Sequence, residues 1–173
     1  DIAALTTTQV RALTSAQAAA LTTEQVAAIS SAAISSLSTA AVRGLTTDAI
    51  AALSTEQIAA LGTAQLASLS TTQVAAIETG DLAALTTNQV KALTTAQVRA
   101  LETDQIQSLT TEQVASLTTA QVAALSTTQL QAVETGDIAA LTTTQVRALS
   151  SAQAAALSTE QVNALDSGDI CSL

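Results

Sequence analysis

From Leu5 to Ser172 the chain repeats every eight residues, twenty-one times, without an insertion or deletion. A strict period of eight constrains the fold more than any composition value, because helix, coiled coil and strand each respond to it differently. The first unit is Leu5-Thr6-Thr7-Thr8-Gln9-Val10-Arg11-Ala12, and the consensus is L-T-T-x-Q-V-x-A. The first position is Leu in eighteen units, with Ile29, Ile77 and Val133 in the others. The sixth is Val, Ile or Leu except at Ala18 and Ala154, the eighth is Ala, Ser or Gly, and the third is always Thr or Ser. The fourth and seventh vary, and all five basic residues (Arg11, Arg43, Lys91, Arg99 and Arg147) fall at the seventh. Uniform positions are expected to be buried or capping, and variable ones solvated.

A continuous helix cannot bury this pattern. At ~100° per residue an eight-residue repeat drifts by ~80° each time, so Leu5, Leu13 and Leu21 would spiral around the helix. A β-solenoid suits Thr and Val, but the first and sixth positions would then face opposite sides of a strand. The Ala-rich ends of the octads favour helix as well. The expectation is an all-α solenoid of short helices, one per octad, with a β-solenoid as the alternative.

Each octad reads as a helix start. In Leu21-Thr22-Thr23-Glu24-Gln25-Val26, Thr22 and Gln25 have capping-box spacing, and Leu21 with Val26 has that of a hydrophobic staple. Eight residues leave room for helices of ~5 to 6 residues, too short to stand alone and dependent on stacking. Box geometry selects the second position as the cap, whereas its uniformity favours the third, and both readings stay open. Leu and Val or Ile are expected to fill a narrow core, with small eighth-position residues letting turns approach closely. With two octads per turn (three or four being the alternatives) and turns ~8 to 10 Å apart, the rod would be on the order of 100 Å long.

Composition closes several functional classes. With no histidine and one cysteine, Cys171, the chain has no Ser-His-Asp triad, no His-ligated zinc and no internal disulfide. A net charge of -9 and no aromatic residue argue against a nucleic-acid partner. Although 48% of residues are hydrophobic, the longest apolar run is Ala49 to Leu53, too short for membrane insertion. Glu102 and Asp104 could be taken for a glycosidase pair, but there is no aromatic platform for a sugar, so neither an enzyme nor a small-molecule substrate or cofactor is expected.

Three octads depart together from the consensus, at Glu78-Thr79-Gly80-Asp81, Glu134-Thr135-Gly136-Asp137 and Asp166-Ser167-Gly168-Asp169. Glu78, Asp81, Glu134, Asp137, Asp166 and Asp169 are therefore candidate calcium ligands. The preferred reading is an alternative helix cap, because two carboxylates fall far short of a calcium shell. Cys171, at a variable position, is read as a tolerated substitution, with an intermolecular disulfide as the alternative.

Leu21 to Ala28 resembles the first helix of TAL-effector repeats, but their second helix and base-reading loop are missing, so DNA binding is not implied. The whole chain resembles Ala/Thr-rich octapeptide arrays of large, acidic, cysteine-poor surface or secreted proteins of Gram-negative bacteria. That resemblance implies an extracellular or cell-surface location and a structural role, and assigns no functional residue. Asp1 begins in mid-octad, so residues 1–173 are expected to be one array within a longer one. The functional expectation is a self-associating structural protein that builds a filament, sheath or layer. A spacer or adhesin stalk is the alternative, and ice binding by Thr rows ranks third.

Overall fold

A computed structural model describes residues 2–170, with the side chains of all but Ala3, Ser167 and Asp169. Every octad forms one α-helix, from four residues (Ser31–Ile34) to six (Thr87–Ala92), preceded at the start by a 3-10 turn at Ile2–Ala4. No strand occurs among the described residues, so the β-solenoid alternative falls.

The second position is the cap. Thr94 has φ -71° and ψ 158°, and its hydroxyl accepts the Gln97 N–H at 3.2 Å while Gln97 Oε1 accepts the Thr94 N–H at 2.7 Å. This reciprocal pair satisfies two of the free N–H groups that every helix start presents. At Gly62 and Glu102 only the glutamine half forms, through bonds from their N–H groups to Gln65 and Gln105 Oε1 at 2.7 and 2.9 Å. The third position opens the helix and does not cap it.

Helices stop without proline or a left-handed glycine. The first-position residue of the next octad turns extended, as at Leu93 (φ -61°, ψ 135°), and its N–H still reaches the sixth-position carbonyl, here Val90, at 3.2 Å. Leu and Thr together thus form a two-residue extended corner, after which the next capping box restarts the helix. No described residue has positive φ.

Helices pack against those three octads away. Thr87–Ala92 lies between Thr63–Ser68 and Thr111–Ser116, and Ser15–Ala19 against Thr39–Gly44. One superhelical turn therefore takes three octads, or twenty-four residues, and not the two expected. About seven turns at ~8 to 10 Å make a rod of roughly 60 to 70 Å, correspondingly shorter than expected.

The core is one apolar column of first- and sixth-position side chains, including Leu66, Leu69, Leu93, Val98 and Leu101. Full burial of each such side chain contributes ~1.5 to 3 kcal/mol, which is how helices too short to be stable alone persist. Position eight is Ala, Ser or Gly in every octad, and one octad requires glycine there. A Cβ on Gly44 would overlap the Ser15 backbone of the preceding turn.

Candidate functional site: the boundary between turns

The fifth-position glutamine links successive turns. Its Oε1 serves the cap of its own helix, and its Nε2 points back to carbonyls 28 and 31 residues earlier, in the turn below. Gln97 Nε2 donates to the Leu66 and Leu69 carbonyls at 2.8 Å each, and Gln121 to Val90 and Leu93 at 2.9 and 2.8 Å. Gln57, Gln73 and Gln129 repeat the arrangement. Those carbonyls lie at the end of a short helix, where Leu66 and Val90 also accept the N–H groups of Leu69 and Leu93, and the Leu69 and Leu93 carbonyls lie beyond the reach of the helix ladder. One buried amide thus closes the start of one helix and the end of another, and Gln97 is only 2% exposed.

Burying an amide is unfavourable unless its groups are bonded, and here both ends are. The pattern also requires an amide in particular. A glutamate could accept the cap N–H, but its second oxygen would face two carbonyls. Position five is Gln in fifteen octads, Ala in three, Asp in three and Glu in none.

The acidic octads behave differently from expectation. Asp81 is buried, 5% exposed, and its Oδ1 accepts the hydroxyl of Thr55, from the turn below, at 2.7 Å. Asp137 does the same with Thr111 at 2.7 Å. Glu78 and Glu134 stand at the N-cap with Asp81 and Asp137 in the first turn, so the acidic helix start expected from the sequence is present, but no side chain makes a cap bond and the aspartates bond to the turn below instead. Aspartate has no N–H to offer, so the carbonyls that an amide would reach from these positions receive no such donor.

Nor do the candidates converge as calcium ligands. The second acidic octad lies seven octads after the first and the third lies four after the second. Neither number is a multiple of three, so each sits on a different side of the solenoid. No group of three or more Asp, Glu, Cys or His side chains comes together among the described residues. Asp166 is exposed, while the side chain of Asp169 and the whole of Cys171 lie outside the described residues. Glu102 lies at an exposed cap and Asp104 two residues into the helix.

Glu24, Glu56 and Glu160 lie in first turns, fully exposed. Each carboxyl is held below its ordinary value, first by its own backbone N–H and then by the cap hydroxyl of Thr22, Ser54 or Ser158. No described helix is long and apolar enough to cross a membrane.

The bridging amide is what sequence reasoning missed. Capping-box spacing accounted for one half of the side chain, and the absence of Glu at position five was the signal for the other half. A family model described as the ALTTAQ repeat matches residues 1–31, 26–63, 74–111 and 130–167. The hexapeptide itself stands at 92–97, spanning a helix end, the extended corner, the cap and the bridging Gln97. No protein of curated function matches the chain.

Proposed function

Since the chain belongs to the ALTTAQ repeat family, we propose that it is a non-catalytic structural protein that assembles into an extracellular filament, sheath or layer. The observation that supports assembly is the directional boundary between turns. Each turn offers amide donors toward the amino-terminal side and carbonyl acceptors toward the carboxy-terminal side, with the same geometry at boundary after boundary. A second copy could be joined by the bonds that join turns. Open head-to-tail contacts of this kind propagate as fibres.

A rigid spacer or adhesin stalk is the second reading, supported by the solenoid's flanks. Ile170 is the one large hydrophobic side chain exposed among the described residues, so the flanks offer no apolar patch for lateral adhesion. The extracellular location follows from the resemblance to bacterial surface arrays. Electron microscopy of the purified chain over a concentration series tests the proposal. Uniform fibres ~20 to 30 Å wide that lengthen with concentration are expected. Discrete short rods at every concentration would favour the spacer. With a net charge of -9, lateral association of fibres should strengthen with salt or Ca²⁺ as repulsion is screened, and flat light scattering would contradict this.

A further inference from the structure

We infer that the boundary between residues 5–28 and 29–52 is a built-in parting plane, where the solenoid opens first while its amide-clamped boundaries stay closed. Three consecutive octads carry alanine at the bridging position: Ala33, Ala41 and Ala49. Three octads make one turn, so no bridging amide of 29–52 reaches 5–28 on any of its three sides. The next boundary carries Gln57, Gln65 and Gln73, each donating to carbonyls of the turn below. The one after it replaces a single amide with Asp81 and keeps Gln89 and Gln97.

The apolar column is also thinner beside the parting plane, because Ala18 stands where every other octad except that of Ala154 places Val, Ile or Leu. Among the described side chains of 29–52, the polar link across it is the Ser36 hydroxyl, which donates to the Thr7 carbonyl at 3.1 Å in an exposed setting, and from the following turn Gln57 Nε2 holds only the last corner of 5–28, at the Val26 and Ala27 carbonyls (3.1 and 3.4 Å). Two surface depressions straddle the same boundary, one lined by Thr7, Thr8, Arg11 and Ser36, the other by Ser15, Thr39, Ala40 and Arg43. Cohesion here comes from apolar contact and the close approach of Gly44 to Ser15. Such contact resists sliding poorly compared with bonds of fixed direction. The inference is internal to the array and does not depend on the proposed assembly.

Native-state hydrogen exchange, read by NMR on the 173-residue chain, provides the test. Backbone amides of 5–28 should exchange through one common opening about 100-fold faster than those of 53–76, since three missing amide contacts each count for roughly a factor of five. Equal protection of the two segments would overturn the inference. Restoring the amides with A33Q/A41Q/A49Q should slow exchange in 5–28 and leave 53–76 unchanged, which simple end fraying would not produce. The close Gly44–Ser15 contact could prevent that variant from folding, so Q57A/Q65A/Q73A provides an independent arm. It should shift the opening so that 5–52 exchange as one block. Uniform acceleration along the whole chain, or none, would contradict a boundary controlled by amides.

Discussion

The boundary crossed by Ala33, Ala41 and Ala49 and the one crossed by Gln57, Gln65 and Gln73 have the same one-helix-per-octad winding and period, but the alanine helices are capped by the Ser30, Ser38 and Thr46 hydroxyls alone and send no buried amide to the turn below. Both boundaries form. The apolar column and the cap hydroxyls therefore suffice to build the solenoid, and the amides add the second half of the cap and a directional clamp between turns. Shape and cohesion are specified by different positions of the same octad: one, six and eight set the winding, and five sets how firmly adjacent turns hold.

The largest expected effect removes what the two boundaries share. Leu93→Asp places a charge in the column at a site 4% exposed and should cost more than ~3 kcal/mol, with loss of helicity by circular dichroism. Unchanged helicity and melting would remove Leu93 from the core.

Next come changes to the clamp alone. Gln97→Ala should destabilise by ~1 to 3 kcal/mol in denaturant melts, because the Leu69 carbonyl and the Thr94 N–H lose their partner and the Leu66 carbonyl keeps only the Leu69 N–H. Gln97→Glu should be worse at neutral pH despite keeping the cap bond, since a buried carboxylate would face those carbonyls. Burial among acceptors raises its folded-state pKa, so the protonated form is favoured in the fold. The penalty should be smallest below the unfolded-state pKa and grow as pH rises above it. A glutamate variant as stable as wild type at neutral pH would show that Nε2 is not needed.

A cap lesion is smaller. Thr94→Ala should cost ~1 kcal/mol, and Thr94→Gly only a few tenths, since glycine is tolerated at the cap as at Gly62. Equal losses for both would argue against capping by the hydroxyl.

The smallest effect is acid sensitivity. Glu24, Glu56 and Glu160 have lowered carboxyl pKa values, so the stability they contribute is present above the unfolded-state value and is lost as pH falls through the folded one. E24Q/E56Q/E160Q should flatten the acid limb of the stability curve slightly, in the window opening at the ordinary glutamate value and extending below it. An unchanged acid limb would indicate that solvent screens the interaction completely.

Much of this was legible in the residues. The period excluded a continuous helix, Thr22 with Gln25 announced the capping box, and Leu and Val positions marked the core. Turn size was not legible, because a period of eight along the chain sets the length of each helix but not the angle between successive helices. That angle depends on the extended corner at residues such as Leu93 and Thr94 and on packing 24 residues away. The role of the acidic octads was hidden for the same reason. Asp81 and Thr55 meet only when the turn is closed by three octads, and sequence spacing alone suggested a cap or a cation site. The uniform third position was similarly misleading as a cap candidate. It borders the fifth-position side chain of the turn above, as Thr55 does Asp81 and Thr111 does Asp137.

The central claim is that buried glutamine amides bridge successive turns, and the most direct measurement is hydrogen exchange of the glutamine side-chain amides themselves, resolved by NMR. Slow exchange is expected for Gln57, Gln73, Gln97, Gln113 and Gln121, whose Nε2 groups are buried against carbonyls, and fast exchange for the exposed Gln9, Gln17 and Gln107. Side-chain amides that all exchange at the same fast rate would contradict the bridge and leave the apolar column and a few hydroxyl bonds, such as Thr55 to Asp81, to hold the turns together.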